Sequence, residues 1–130
     1  MPNELLCLIA ANGLYWLLGQ LTATGKTQAA GTAWNMGNRD TEPEVAPWVK
    51  RAERAQKNLL ESLPLFSALL ISVVLLHKES SQSCWGATIF VLARVAHAAV
   101  YTLGIPVVRS LAYVVSLVGI GMLVSTLFAG

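Results

Sequence analysis

Four apolar stretches constrain this chain more than any other feature of it. They run from about Leu5 to Ala23, Leu59 to Leu76, Cys84 to Leu103 and Val107 to Phe128. At 1.5 Å per helical residue, each is long enough to cross a hydrocarbon core of about 30 Å as a helix. Inside lipid the backbone must satisfy its own polar groups, which a helix does within a single segment. The expected fold is all-α. It is an integral membrane bundle of four transmembrane helices in one domain over residues 1–130, with spans at about 5–23, 59–76, 84–103 and 107–128 and a loop at about 24–47.

Charge usage agrees with this. Only 12% of the residues are charged, where a soluble domain carries about 25%. A net charge of +2 with no aromatic-interleaved basic stripe argues against a nucleic-acid partner. Cys7 and Cys84 are far apart in sequence and form no Cys/His cluster, so no metal site is expected and free thiols are the simplest reading. The first apolar stretch has spanning length and no basic residue before it, so it reads as a retained span and not a signal peptide.

Orientation follows from the loops. Lys26, Arg39, Lys50, Arg51, Arg54 and Lys57 lie between spans one and two, whereas the other side offers only Lys78. Positive residues stay cytoplasmic, so this loop and the short "LGIP" turn face the cytoplasm and both termini face out. The loop is rich in Gly, Thr, Asn and Pro and reads as irregular chain. "TEPE" fits a capping box with Thr41 as N-cap, which would start the second helix well before the membrane; Pro47 is the alternative start. Pro64 should bend that helix. Trp48 and Trp85 fall where an interfacial aromatic belt would place them, and Asn12 reads as glue between helices.

The spans also carry polar faces. In "ARVAHAAVYTLGIPVVRS", residues 93–110, Arg94, His97 and Tyr101 fall within about 60° of one another on a helix. Arg94 lies about 15 Å into its span by helical rise. Such a stripe belongs against a bundle interior or a wet cavity. "KRAERAQKNLLE" places Arg51, Arg54, Lys57, Asn58 and Glu61 on one face, and "PVVRS" puts Arg109 and Ser110 at the start of span four. The topology brings all three clusters to the cytoplasmic half. Cations with an amide, a phenol and a hydroxyl suit a small anion or zwitterion carrying several carboxylates. The plainer alternatives are a Lys57–Glu61 pair along one helix, arginines snorkelling to headgroups, and a structural ion pair between Arg94 and Glu61.

"ERAQKNLLE", "RVAHAAVY" and "PVVRS", in this order, resemble the MAPEG family, the membrane-associated proteins in eicosanoid and glutathione metabolism. The resemblance covers all four spans. It is nearest to the microsomal prostaglandin E synthase and glutathione transferase branch, and "WNMGNRD" is similar to short prokaryotic members. It implies a homotrimer that binds glutathione as cosubstrate between neighbouring protomers, with membrane lipid and a lipophilic small molecule as further partners. Matched position by position, it assigns glutathione binding to Arg54, Lys57, Asn58, Glu61, His97, Tyr101 and Tyr113. It assigns catalysis at the sulfur to Arg109 and Ser110, and a structural or near-catalytic role to Arg94. Asp40 is loosely similar to a loop aspartate of the prostaglandin branch.

The chain departs from that branch at four places. Lys57 and Thr22 stand where arginines are expected, Leu117 replaces a polar residue, and the connection from Tyr101 to Arg109 is one residue shorter. The implied activity is a glutathione transferase or peroxidase serving detoxification, sited in the plasma membrane of a prokaryote with the active site toward the cytoplasm. The alternatives from other classes are a non-catalytic membrane scaffold and a small four-helix transporter.

Overall fold

The structure, a computed structural model, describes residues 1–129. It is helical, with no strand among the described residues. The elements are α1 (Asn3–Ala30), α2 (Thr32–Met36), α3 (Pro47–Leu75), α4 (Ser81–Leu103) and α5 (Pro106–Phe128). The four long helices are each long and apolar enough to cross a membrane. The short α2 lies in the connection from α1 to α3. Helices α3 and α4 form the middle of the bundle; α1 packs on both from one side and α5 on both from the other.

The core is a ladder of apolar residues at helical spacing. Ala55, Leu59, Leu63, Phe66 and Leu70 line one stripe of α3, and Ala87 and Phe90 line one stripe of α4. Phe66 and Phe90 stack with ring centroids 3.9 Å apart. Helices α4 and α5 touch through their backbones: a Cβ on Gly119 would sit 2.6 Å from the Gly86 carbonyl oxygen and 2.9 Å from the Phe90 nitrogen. Only glycine allows that approach, a packing device common where helices meet in lipid. The outer faces are apolar, with Leu6, Ile9 and Leu17 on α1 and Leu111, Val114 and Val118 on α5 all exposed. That is the surface a lipid solvent requires.

Three local expectations are corrected. Helix α1 does not stop near residue 23. It continues through "GKTQAA" to Ala30 and ends at Gly31, which adopts φ 94°. No proline interrupts this stretch, Gly25 fits closely over Val49, and Thr27 returns its hydroxyl to the Ala23 carbonyl. Thr41 is not an N-cap: α3 begins at Pro47 with Ala46 as its cap. A helix started at Thr41 would carry Pro47 in its interior, where the ring clashes with the carbonyl four residues back. Proline at the first helical position costs nothing. Asn12 is exposed and donates to Leu8 O of its own helix at 2.9 Å, so it joins no helices within the chain. Pro64 lies inside α3, which runs on without a break to Leu75.

Candidate functional site: a donor-rich cleft

The buried stripe of α4 changes character halfway along. Ala87 and Phe90 are followed on the same face by Arg94, His97 and Tyr101. The apolar half packs on Phe66; the polar half opens a cavity of about 370 Å³. Asn58 of α3, His97 and Tyr101 of α4, and Arg109, Ser110, Tyr113 and Val114 of α5 line it. Pro106 at the first position of α5 fixes the entry of that helix. Arg109, Ser110 and Tyr113 follow within two turns and face α4. Gly104, left-handed at φ 83°, closes the tight connection that brings α5 back against α4.

Arg94 lies behind the cavity and is 1% exposed. Its Nη2 donates to Asn58 Oδ1 at 2.7 Å. A guanidinium has no acceptor, so this bond orients the amide and leaves the Asn58 NH₂ group to donate into the cavity. The Arg94 Nε and Nη1 atoms are buried with no hydrogen-bond partner. Its guanidinium carbon stands 5.8 Å from the centre of the Tyr113 ring, and that of Arg109 stands 4.5 Å from the centre of the Tyr101 ring. The His97 imidazole meets Tyr101 edge-on at 5.5 Å and Tyr113 at 6.5 Å. Ser110 Oγ makes only a long 3.4 Å contact with the Pro106 carbonyl, so its hydroxyl is weakly committed.

The ion-pair alternatives are not realised. Among the described residues, the salt bridges join Lys26 to Glu53 at 3.1 Å and to Glu42 at 3.4 Å. Neither Lys57–Glu61 nor Arg94–Glu61 forms. The cleft therefore presents one guanidinium group, an amide, an imidazole, two phenols and a hydroxyl, with Arg94 behind the amide and no carboxylate among its lining residues. Such a site selects ligands that supply negative charge and acceptors.

The site residues read from the sequence divide into three groups. Asn58, His97, Tyr101, Arg109, Ser110 and Tyr113 share the cavity. Arg54 lines a second cavity of about 150 Å³ that shares Tyr101 and Arg109 with the first and adds Arg51, Gly104, Ile105 and Pro106. Lys57, Glu61 and Asp40 are exposed and line neither cavity. Thr22, where an arginine was expected, is buried and returns its hydroxyl to Leu18 O at 2.9 Å. Sequence reasoning missed the task of Arg51, whose Nε caps the end of α4 by donating to Thr102 O at 2.9 Å. The residues lie 51 positions apart, and no local pattern joins them.

Four membrane-length helices, with a donor-rich cleft at one end of the bundle, mark a multi-pass membrane protein. The sequence profile of the MAPEG family matches residues 5–129, and the chain belongs to that family. Its members include glutathione transferases and peroxidases as well as proteins without catalytic activity. Neither a curated protein nor a solved structure gives a match.

Proposed function

We propose that this protein is a glutathione-dependent membrane enzyme of the transferase or peroxidase type, acting on a lipophilic electrophile or hydroperoxide. The observation that carries the reading is the orphaned Arg94 behind a cleft with no carboxylate in its lining. A buried cation with unpaired donors is costly unless a ligand completes it. Glutathione brings two carboxylates and an amide backbone, which fits this donor set.

When bound, glutathione supplies a thiol whose deprotonated form is the nucleophile. Arg109 and Ser110 are the residues to hold that thiolate. Arg109 ends the first turn of α5 and Ser110 opens the second, near the positive end of the helix dipole. Ser110 needs only to leave its long contact with Pro106 to donate elsewhere. Asn58, aimed by Arg94, and Tyr101 and Tyr113 donate to the peptide, while Arg54 takes a terminal carboxylate. His97 packs between the two tyrosines and holds their rings in place.

Lys57 and Glu61 are exposed and line neither cavity of their own chain. In the proposed homotrimer they meet a neighbouring protomer, with glutathione between the two. The prostaglandin activity of the branch is not proposed, because Thr22 offers no cation and Lys57 no bidentate fork. The cleft lies at the end of the bundle that holds Lys26, Arg39, Lys50, Arg51, Arg54 and Lys57, and this supports a cytoplasmic site in a plasma membrane.

The test is calorimetry of glutathione with the purified protein in mild detergent, followed by thioether formation with a panel of electrophiles. Saturable binding and turnover are expected. Binding without turnover on any electrophile or hydroperoxide would reassign the protein to the silent members; no binding at millimolar glutathione would end the proposal.

A further inference from the structure

On the outer side of the bundle, away from the cleft, α1 and α4 leave an apolar groove of about 450 Å³. Leu14, Leu18 and Leu21 of α1 face Val95, Ala99 and Thr102 of α4 across it. The small side chains of α4 give it depth. From Val95 to Thr102 it rises about 10 Å, within the ~15 Å of one leaflet's hydrocarbon. The groove ends at the last turn of α4, and there Arg51 takes over. Its Nε holds the Thr102 carbonyl at 2.9 Å, and a Cβ on Gly104 would lie 3.3 Å from its guanidinium carbon. Arg51 also lines the second cavity, with Arg54 and Arg109 and no carboxylate. Thr102 lines the end of the groove, so the apolar slot ends beside the guanidinium of Arg51, which forms no salt bridge among the described residues.

We infer that this groove binds an anionic phospholipid of the adjoining leaflet, with one acyl chain along α1 and α4 and the phosphate against Arg51. Two features select that ligand. A free anion would leave the apolar slot unfilled. A zwitterionic headgroup would bring its own cation against Arg51, which forms no salt bridge among the described residues that could accept it. Burying an acyl chain against protein gains little over burying it in lipid, so selectivity rests on the headgroup charge. Arg51 lies outside the set assigned to glutathione, and the inference stands whether or not that assignment holds.

Thermal unfolding in mild detergent tests it, with phosphatidylglycerol, phosphatidylcholine and glycerol phosphate added separately. Phosphatidylglycerol should raise the midpoint, while the other two should not, because a ligand of the folded state alone stabilises it in proportion to its affinity. Arg51→Gln keeps a donor for the Thr102 carbonyl but removes the charge, and should weaken the apparent lipid affinity at least tenfold. Ala99→Phe fills the slot and should do the same while leaving glutathione binding intact. Equal shifts from both lipids, a full shift from glycerol phosphate, or a wild-type response in either variant would overturn the inference. Native mass spectrometry of the wild-type protein from equimolar lipid micelles needs no variant: preferential retention of phosphatidylglycerol supports the site, and equal retention of the two lipids refutes it.

Discussion

The two ends of the bundle treat polar groups in opposite ways. At the end where α1 and α4 begin, each buried polar side chain among the described residues finds a partner within the protein. Glu4, 3% exposed, accepts from Ser83 Oγ at 2.5 Å. Ser83 and Ser80 close a reciprocal capping box at the start of α4. Asn3 donates to Thr88 and to both cysteine sulfurs, and Lys78 covers the last carbonyls of α5 through Leu127 O at 2.6 Å and Ala129 O at 3.4 Å. At the other end, Arg94 keeps two donors unpaired, Arg109 and Arg54 have no acid, and Ser110 is barely engaged. Satisfied polar groups stabilise the fold; unsatisfied ones at the closing of a cavity signal a ligand. The same fold thus separates a fastened end from a receptive one.

Five substitutions break or sharpen that contrast. The largest effect is expected at the receptive end, from Ser110→Ala. Turnover on a working electrophile should fall about 10- to 1000-fold, as for the loss of an oxyanion donor, with a much smaller change in glutathione affinity. Arg109→Leu should lower the thiolate absorbance of the bound complex at a given pH. If both variants keep wild-type rate and absorbance, the pair serves structure alone. Next comes Arg54→Ala, for which calorimetry should show glutathione binding weakened by ~1.5–3 kcal/mol, the scale of a charge-assisted hydrogen bond. An unchanged dissociation constant would return Arg54 to headgroup contact.

Arg94→Met tests the contrast most directly. In the absence of glutathione the melting temperature should stay level or rise, by up to about 1 kcal/mol of stability, because an unpaired buried charge is replaced by an apolar chain of similar reach. Glutathione affinity should drop, since Asn58 loses the bond that orients it. A large loss of stability without ligand would show that Arg94 belongs with the fastened groups. The smallest effect is expected at the fastened end: Lys78→Ala should cost ~0.3–1 kcal/mol in thermal unfolding, the value of a cation at a helix C-terminus, and leave glutathione binding untouched.

The sequence by itself determined the four long helices, because run length and apolar content are local properties and lipid admits few other backbones. It also determined which half of the bundle would be polar, since Arg94, His97 and Tyr101 share a face by helical period alone. Start and stop signals were legible only where a single residue dominates. Pro47 and Pro106 open their helices as their rings require, whereas Thr41 carries a capping pattern that the proline at 47 overrides. What the tertiary structure decided is which polar groups meet. That Arg94 would hold Asn58 and not Glu61 depends on the rotation of α3 against α4, where Phe66 stacks on Phe90. That Arg51 would cap α4, and that Glu4 would bury against Ser83, depends on helices 51 and 79 residues distant in the chain coming into register. Helical period fixes the face a side chain occupies, but the partner across that face is chosen by the packing of the whole bundle.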